Sequence, residues 1–203
     1  MSNSGLPARR EAEDLLRWAE GLNPGPWSDH CRVVARAAET IASHAGMDPD
    51  RAYVSGLLHD IGRYEGVTEL RHVYAGYRLL TERGFPAAAR ICLTHSFPFP
   101  LLEAYSGSRS DCTLAEQAEI RAVVEQTPHD DWDALIQLCD ALGTPRGVCV
   151  MEARLLNVSI RHGLNDHTLD KWRAFLRVKS RFDGLCGGNL YRFFLPEIIA
   201  SLE

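Results

Sequence analysis

Residues 52–60, AYVSGLLHD, place a histidine and an aspartate at the end of an apolar run. The run carries no charge until it reaches His59 and Asp60. Buried charges and unsatisfied polar atoms are costly, so they are normally paired or hold a metal. Metal ligation is the chemistry this pair suits. The same pattern recurs along the chain. His30, His72 and His95 each sit on, or at the end of, an apolar helical face, and Asp140 lies inside the apolar segment DDWDALIQLCDALG. Six such residues from five helices could converge in a bundle interior, where helical proteins build metal sites.

The dipeptide by itself says little. A second one, His129-Asp130, follows Pro128 in a polar context and reads as a surface turn. His44 shares a helix with His30 but lies about 21 Å further along its axis, so the two cannot serve one site. His162 and His167 read as ordinary surface or boundary residues. Cys31, Cys92 and Cys139 neighbour the candidate ligands, but as small buried hydrophobes they read as packing.

The elements that position these residues are helices. A first helix is expected over 9–20, after a loose tail at 1–8. A second, capped by Ser28 or Asp29, should run to Gly46 with Val33, Val34, Ala37 and Ile41 on its inner stripe. Asp48-Pro49 should open a third, carrying the apolar run and ended by Gly62. A fourth is expected over about 69–83, where Ala75 and Gly76 would admit a neighbouring backbone. Pro86 should open a fifth, stopped by SFPFP at 96–100. Residues 101–112 read as a mobile flap. Thr113-x-x-Glu116 is a capping box for a helix to about 126. After Pro128 another apolar helix runs to Gly143, followed by a TPRG turn. Helices near 148–161, 168–183 and 189–202 complete the chain, with Pro196 kinking or splitting the last. No strand alternation, repeat or low-complexity segment is evident. The fold class is all-α. The expected organisation is one unit over 1–203, with a core at about 28–143 and a C-terminal helical extension at about 148–203.

Composition bounds the function. With 203 residues, 45% of them apolar and 24% charged, the chain suits an ordinary globular protein. A net charge of −5 argues against large nucleic acids and anionic membranes as partners. It leaves room for a small anion held by local charge. Of 22 basic residues only Lys171 and Lys179 are Lys; an Arg excess suits bidentate phosphate contacts, but codon composition is the better explanation of it. The N-terminus has no apolar signal-like region, and the six dispersed cysteines form no C-x-x-C pair. A cytoplasmic protein with free thiols is the expectation.

In order, His30, His59-Asp60-Ile61-Gly62, His72 within HVYAG, His95 ending RICLTH and Asp140 within LIQLCDALG resemble the HD-domain superfamily of metal-dependent phosphohydrolases. The match is to the HDIG type and its dinuclear H…HD…H…H…D branch, and it covers about residues 28–143. It implies a helical bundle with His30, His59, Asp60 and Asp140 on one metal, and His72, His95 and a bridging Asp60 on a second. Two divalent ions so placed can clamp a phosphate and activate water. The His-rich set favours Fe, Mn, Co, Ni or Zn over Mg or Ca. Asp60 and Arg63 are the expected catalytic residues, Arg63 as a phosphate contact. Trp27, Tyr64 and Phe97 are expected to line the substrate pocket. No GYP motif follows His95, which argues against cyclic-di-GMP hydrolysis. Pro26 stands where trinuclear members carry an acid, which argues against a third metal.

The function expected is hydrolysis of a phosphomonoester, phosphodiester or phosphoanhydride in a small, nucleotide-like substrate. Two alternatives share the ligand set: a mixed-valent di-iron oxygenase and a silent HD module that binds a nucleotide or partner. The C-terminal helices could cover the site or form a homodimer surface.

Overall fold

Asp48 opens the helix that carries the His–Asp pair. Its carboxylate accepts from Asp50 N (3.0 Å) and Arg51 N (3.2 Å), and Pro49 fills the first helical turn, where its missing N–H costs nothing. In the computed structural model, described over residues 5–202, this helix is α3 (Pro49–Leu58). It is preceded by α1 (Arg9–Leu22) and α2 (Pro26–Ala45). A 3-10 turn, Ile61–Glu65, then leads to α4 (Arg71–Glu82) and α5 (Pro86–Thr94). A second 3-10 turn, Leu102–Ala104, precedes α6 (Leu114–Gln126) and α7 (Asp131–Leu142). The fold is all-α; its one sheet among the described residues is a two-residue antiparallel pair, β1 (Gly143–Thr144) with β2 (Gly147–Val148), closed by the expected turn. Helices α8 (Met151–His162) and α9 (Thr168–Leu185), a 3-10 turn at Leu190–Phe193 and α10 (Leu195–Ala200) follow.

Three apolar clusters hold these helices. One joins α2 and α7 to α9 through Val34, Ile41, Leu135, Ile136 and Phe182. A second packs α1 and α3 on α2 and α5 through Leu16, Leu57, Leu58 and Cys92. The third joins α4, α5 and α6 through Leu70, Val73, Leu93 and Ile120. Helices α2 and α3 run in close contact: a Cβ on Gly56 would lie 2.9 Å from Ala35 Cα, so only hydrogen fits there. The candidate ligands hang from the elements these clusters fix together.

Several local expectations need correction. Helix α2 begins at Pro26, three or four residues early, because proline tolerates the first turn; the Ser28 hydroxyl donates instead to Glu20 Oε1 at 2.6 Å. Helix α3 ends before Gly62, and that glycine is buried in a packed turn. Residues 5–8 are not loose: Gly5 O accepts from Ala87 N at 2.9 Å, at the start of α5. Residues 1–4 of the expected tail lie outside the described residues. The segment 101–112 is anchored, with Leu102, Ala104 and Cys112 buried. Its Asp111 carboxylate accepts from Glu69 N at 2.6 Å, just ahead of α4. Pro196 does split the last helix, sitting in the first turn of α10. Among the described residues no helix is long and apolar enough to cross a membrane.

Asp130 turns out to cap α7. Its carboxylate accepts from Trp132 N (2.8 Å) and Asp133 N (3.2 Å), and Asp133 reciprocates on Asp130 N (2.7 Å). Losing such a cap costs about 1 kcal/mol. Asp130→Ala should therefore lower Tm by about 2–4 °C in calorimetry, with bound metal unchanged.

Candidate metal centre

His59 and His95 stand at helix ends and His72 in a first turn, each able to reach a carbonyl in its own backbone. His59 follows α3 and its Nδ1 meets Gly56 O at 2.7 Å; His95 follows α5 and its Nδ1 meets Cys92 O at 2.8 Å. His72 Nδ1 meets Glu69 O in the same way. A carbonyl can only accept, so Nδ1 carries the proton in all three rings. That fixes the tautomer and turns each Nε2 lone pair toward the carboxylates; those of His59 and His72 are unpartnered, and that of His95 meets Ser96 Oγ at 2.9 Å.

The fourth ring comes from α2. His30 Nε2 lies 3.0 Å from Asp140 Oδ1, across from α7. A Cβ on Gly143 would come within 3.1 Å of the His30 ring, so the glycine ending α7 makes room for it. The four imidazoles pack edge to face or tilted, with centroids 5.2 Å apart for His30–His59, 4.9 Å for His59–His95 and 5.7 Å for His72–His95.

Asp60 sits among them. Its Oδ1 is 3.1 Å from His72 Nε2 and 3.4 Å from His95 Nε2, and its Oδ2 accepts from Arg63 Nε at 2.5 Å. Asp140 Oδ1 is 3.8 Å from His59 Nε2. Two donors about 2.1 Å from one ion stand roughly 3–3.5 Å apart, which matches the closest of these pairs. Three overlapping sets each bring their ligand atoms within 4.8 Å of one another: His30, His59 and Asp60; His59, His95 and Asp140; Asp60, His72 and His95. Asp60 belongs to two of them.

His59 Nε2, His72 Nε2 and Asp60 Oδ1 are buried yet have no hydrogen bond of good alignment. Buried polar atoms are nearly always satisfied, and three such atoms in one cluster is the pattern a divalent transition metal satisfies. The residues present fit the group.

The charge state also fits. Burial pulls His59 down to about 4, against the pull of Asp60. Burial, helped by Arg63, lowers His72 as well. His95 is raised, because the Asp60 carboxylate outweighs burial. Burial works against ionised Asp60, but Arg63, His72 and His59 overcome it and hold the carboxyl well below its usual range. Asp140 is held low too, with His30 outweighing burial. Ionised carboxylates beside the neutral rings of His59 and His72 are the state metal binding requires, and at His95 a bound cation would displace the proton that Asp60 favours.

The cluster forms the floor of a cavity of about 470 Å³. His30, Asp60, His72, His95 and Asp140 reach its surface, and Arg63 and Trp27 stand in its wall as expected. Tyr64 and Phe97 do not. Tyr64 packs on Trp18 at 5.4 Å between ring centroids, with its hydroxyl toward Glu65. Phe97 is wholly buried in the third apolar cluster. Both aromatics found apolar partners in the core, and aromatic type alone carried no signal of which way they would face. The opposite wall comes from the C-terminal helices: Arg154, Leu155, Val158, Arg161, Lys171 and Phe175. Sequence reasoning missed its basic members. They lie on the C-terminal helices, expected either to cover the site or to form a homodimer surface with no residue singled out, and the one available signal was Lys171, a cation between the helical positions of Ala174 and Phe175.

No curated protein and no solved structure matches the chain. A model of the HD domain matches residues 27–142, more than half of the 203 residues. HD domains bind divalent metals and are mostly metal-dependent hydrolases of the phosphohydrolase superfamily. With its ordered histidines and aspartates gathered on one cavity floor, this chain belongs to the HD domain family.

Proposed function

We propose that the protein is a metal-dependent phosphohydrolase that cleaves a phosphate ester or anhydride of a small, nucleotide-like substrate with a metal-activated water. The observation that carries this reading is the cluster itself. Three imidazoles are locked with Nε2 outward and face two ionised carboxylates beneath an open cavity. In this reading His30, His59, Asp60 and Asp140 hold one divalent ion, and Asp60, His72 and His95 hold a second. Bound there, the ions supply Lewis acidity and an activated water.

The chain's own groups do the rest. Arg63 Nε holds Asp60 Oδ2, which turns Oδ1 toward His72 and His95. The same guanidinium borders the cavity, so it can meet a phosphate oxygen while orienting Asp60. Trp27 offers a flat apolar wall for a base or similar ring; its indole N–H is already spent on Asn23 O at 2.8 Å.

Purified protein loaded with manganese or iron should hold two ions per chain. It should release phosphate from at least one member of a panel of nucleotides, dinucleotides and sugar phosphates, and chelation should stop it. One ion per chain would remove the second site. No phosphate release from the whole panel would sink the hydrolase reading. Oxygen-dependent turnover confined to iron would replace it with the oxygenase alternative.

A further inference from the structure

Arg154, Arg161 and Lys171 face the same cavity from α8 and α9. Many of the other arginines find carboxylates, as Arg9 does with Glu39, Arg32 with Glu20, and Arg71 with Glu65. These three cations do not. Lys171 is only 5% exposed, and the partner of its ammonium is a neutral hydroxyl, Ser106 Oγ at 2.8 Å. Arg154 Nε is buried without a partner. Arg161 Nε reaches no acid either; it donates to Asn157 Oδ1 at 3.0 Å, one turn back.

The acids in the cavity wall are otherwise engaged. Asp60 is held by Arg63 and Asp140 lies against His30, while Glu69, 3.8 Å from His162 Nδ1, acts on Arg161 from a distance without forming an ion pair with any of the three. Burial first, and then the nearby Arg154, push the Arg161 guanidinium down, and Glu69 offsets only part of this. Arg154 repels Arg161 across this wall, and the buried Lys171 ammonium has lost hydration that one neutral hydroxyl only partly replaces; an anion lying between them would offset both.

We propose that this wall is a second anion subsite, binding a phosphate or other anionic group of the substrate away from the metal cluster. The proposal rests on the hydrolase reading for its meaning: one phosphate meets the metal floor while a second anionic group is held by α8 and α9. The substrate class is then a small molecule with two separated anionic groups, such as a nucleoside bisphosphate or an oligophosphate. Arg154 and Arg161, two turns apart on α8, each carry a planar guanidinium that can donate two N–H groups to a phosphate, and Lys171 adds a point charge.

The test starts without metal, so that it does not depend on turnover. Inorganic pyrophosphate is titrated calorimetrically into full-length protein held in a chelator. The wild type should bind it saturably, one per chain. Arg161→Ala and Arg154→Ala should each weaken binding about tenfold, the usual scale for a charged hydrogen bond. Arg173→Ala, on α9 but paired with Asp170 outside the cavity, should leave it unchanged. Arg161 is exposed, so its loss should not disturb folding; Lys171→Met, at a buried position, is read alongside circular dichroism. No pyrophosphate binding by the wild type, or equal binding by both cavity arginine variants, overturns the subsite. A separate arm compares turnover of pyrophosphate with that of p-nitrophenyl phosphate, which carries one anionic group, by the manganese-loaded protein. A fall in Arg161→Ala about tenfold larger with pyrophosphate than with p-nitrophenyl phosphate supports a role on the second group, and equal falls with both overturn it. Pyrophosphate binding that tracks the arginines, with no phosphate release from any ester, would keep the subsite and reject the hydrolase reading.

Discussion

Asp60→Ala should strip both metal sites and lower phosphate release by at least about a thousandfold, the scale seen when one member of a cooperating catalytic set is removed. Asp60 is shared by two of the three ligand sets, so its loss breaks both at once. The variant also leaves four imidazoles around a cavity floor that has lost one of its two carboxylates. Binding of a cation there falls because both a donor atom and a negative charge are gone. The helices should survive. Asp60 lies in the junction after α3 and supports no helix hydrogen bond of its own beyond that to Arg63 N. Arg63, freed from Asp60, is partly exposed and can be rehydrated. Metal analysis should find the ions lost while far-UV circular dichroism is unchanged. Asp60→Asn keeps the shape and removes the charge, so it should fall between wild type and Ala in metal affinity. An Asp60→Ala protein with two ions and full turnover would defeat the model of the site.

Much of this site is legible in the sequence, and the reason is energetic. An ionisable residue on an otherwise apolar helical face has few cheap explanations, so His30, His59, Asp60, His72, His95 and Asp140 stand out by context. Their gathering around one cavity needs no side-chain detail beyond helix spacing. What stays hidden is of two kinds. Orientation at helix ends is one: the Nδ1 contacts of His59 and His95 depend on where a helix stops, and the reading that Gly62 stopped α3 placed that end wrongly. The other is long-range placement. Arg154 and Arg161 sit on a helix whose neighbours Leu156 and Ile160 are exposed, so its sequence carries no periodic sign of which face meets the cavity. Phe97 shows the converse. It is expected in the pocket wall, but a large aromatic gains more from full burial against Leu93 and Leu102.

Gly62→Ala should be among the most damaging single-methyl changes in the chain. A Cβ at this position would lie 1.9 Å from His72 O, 2.4 Å from Gly76 N and 2.9 Å from His72 C. All three are backbone atoms, so no side chain can turn aside. The 3-10 turn and α4 would have to separate, which opens the Leu58 and Cys92 packing beneath them. Overpacking typically costs 1–3 kcal/mol, and a backbone clash belongs at or above the top of that range, so about 3 kcal/mol or more is expected. For a chain of this length that lowers Tm by roughly 6–12 °C. Function should suffer with stability, because moving α4 carries His72 away from Asp60. Two other glycines calibrate the effect. In Gly76→Ala the new methyl meets Cys92 Sγ at 3.1 Å and Gly62 N at 3.2 Å, a milder crowding that should cost about 1–2 kcal/mol. In Gly21→Ala nothing lies within 4 Å, and the change within α1 should be neutral or stabilising by up to about 1 kcal/mol. Thermal melts and metal content of the three variants should fall in that order. A Gly62→Ala protein as stable and as metal-rich as Gly21→Ala would show that the turn after the His–Asp pair does not hold α4 in place.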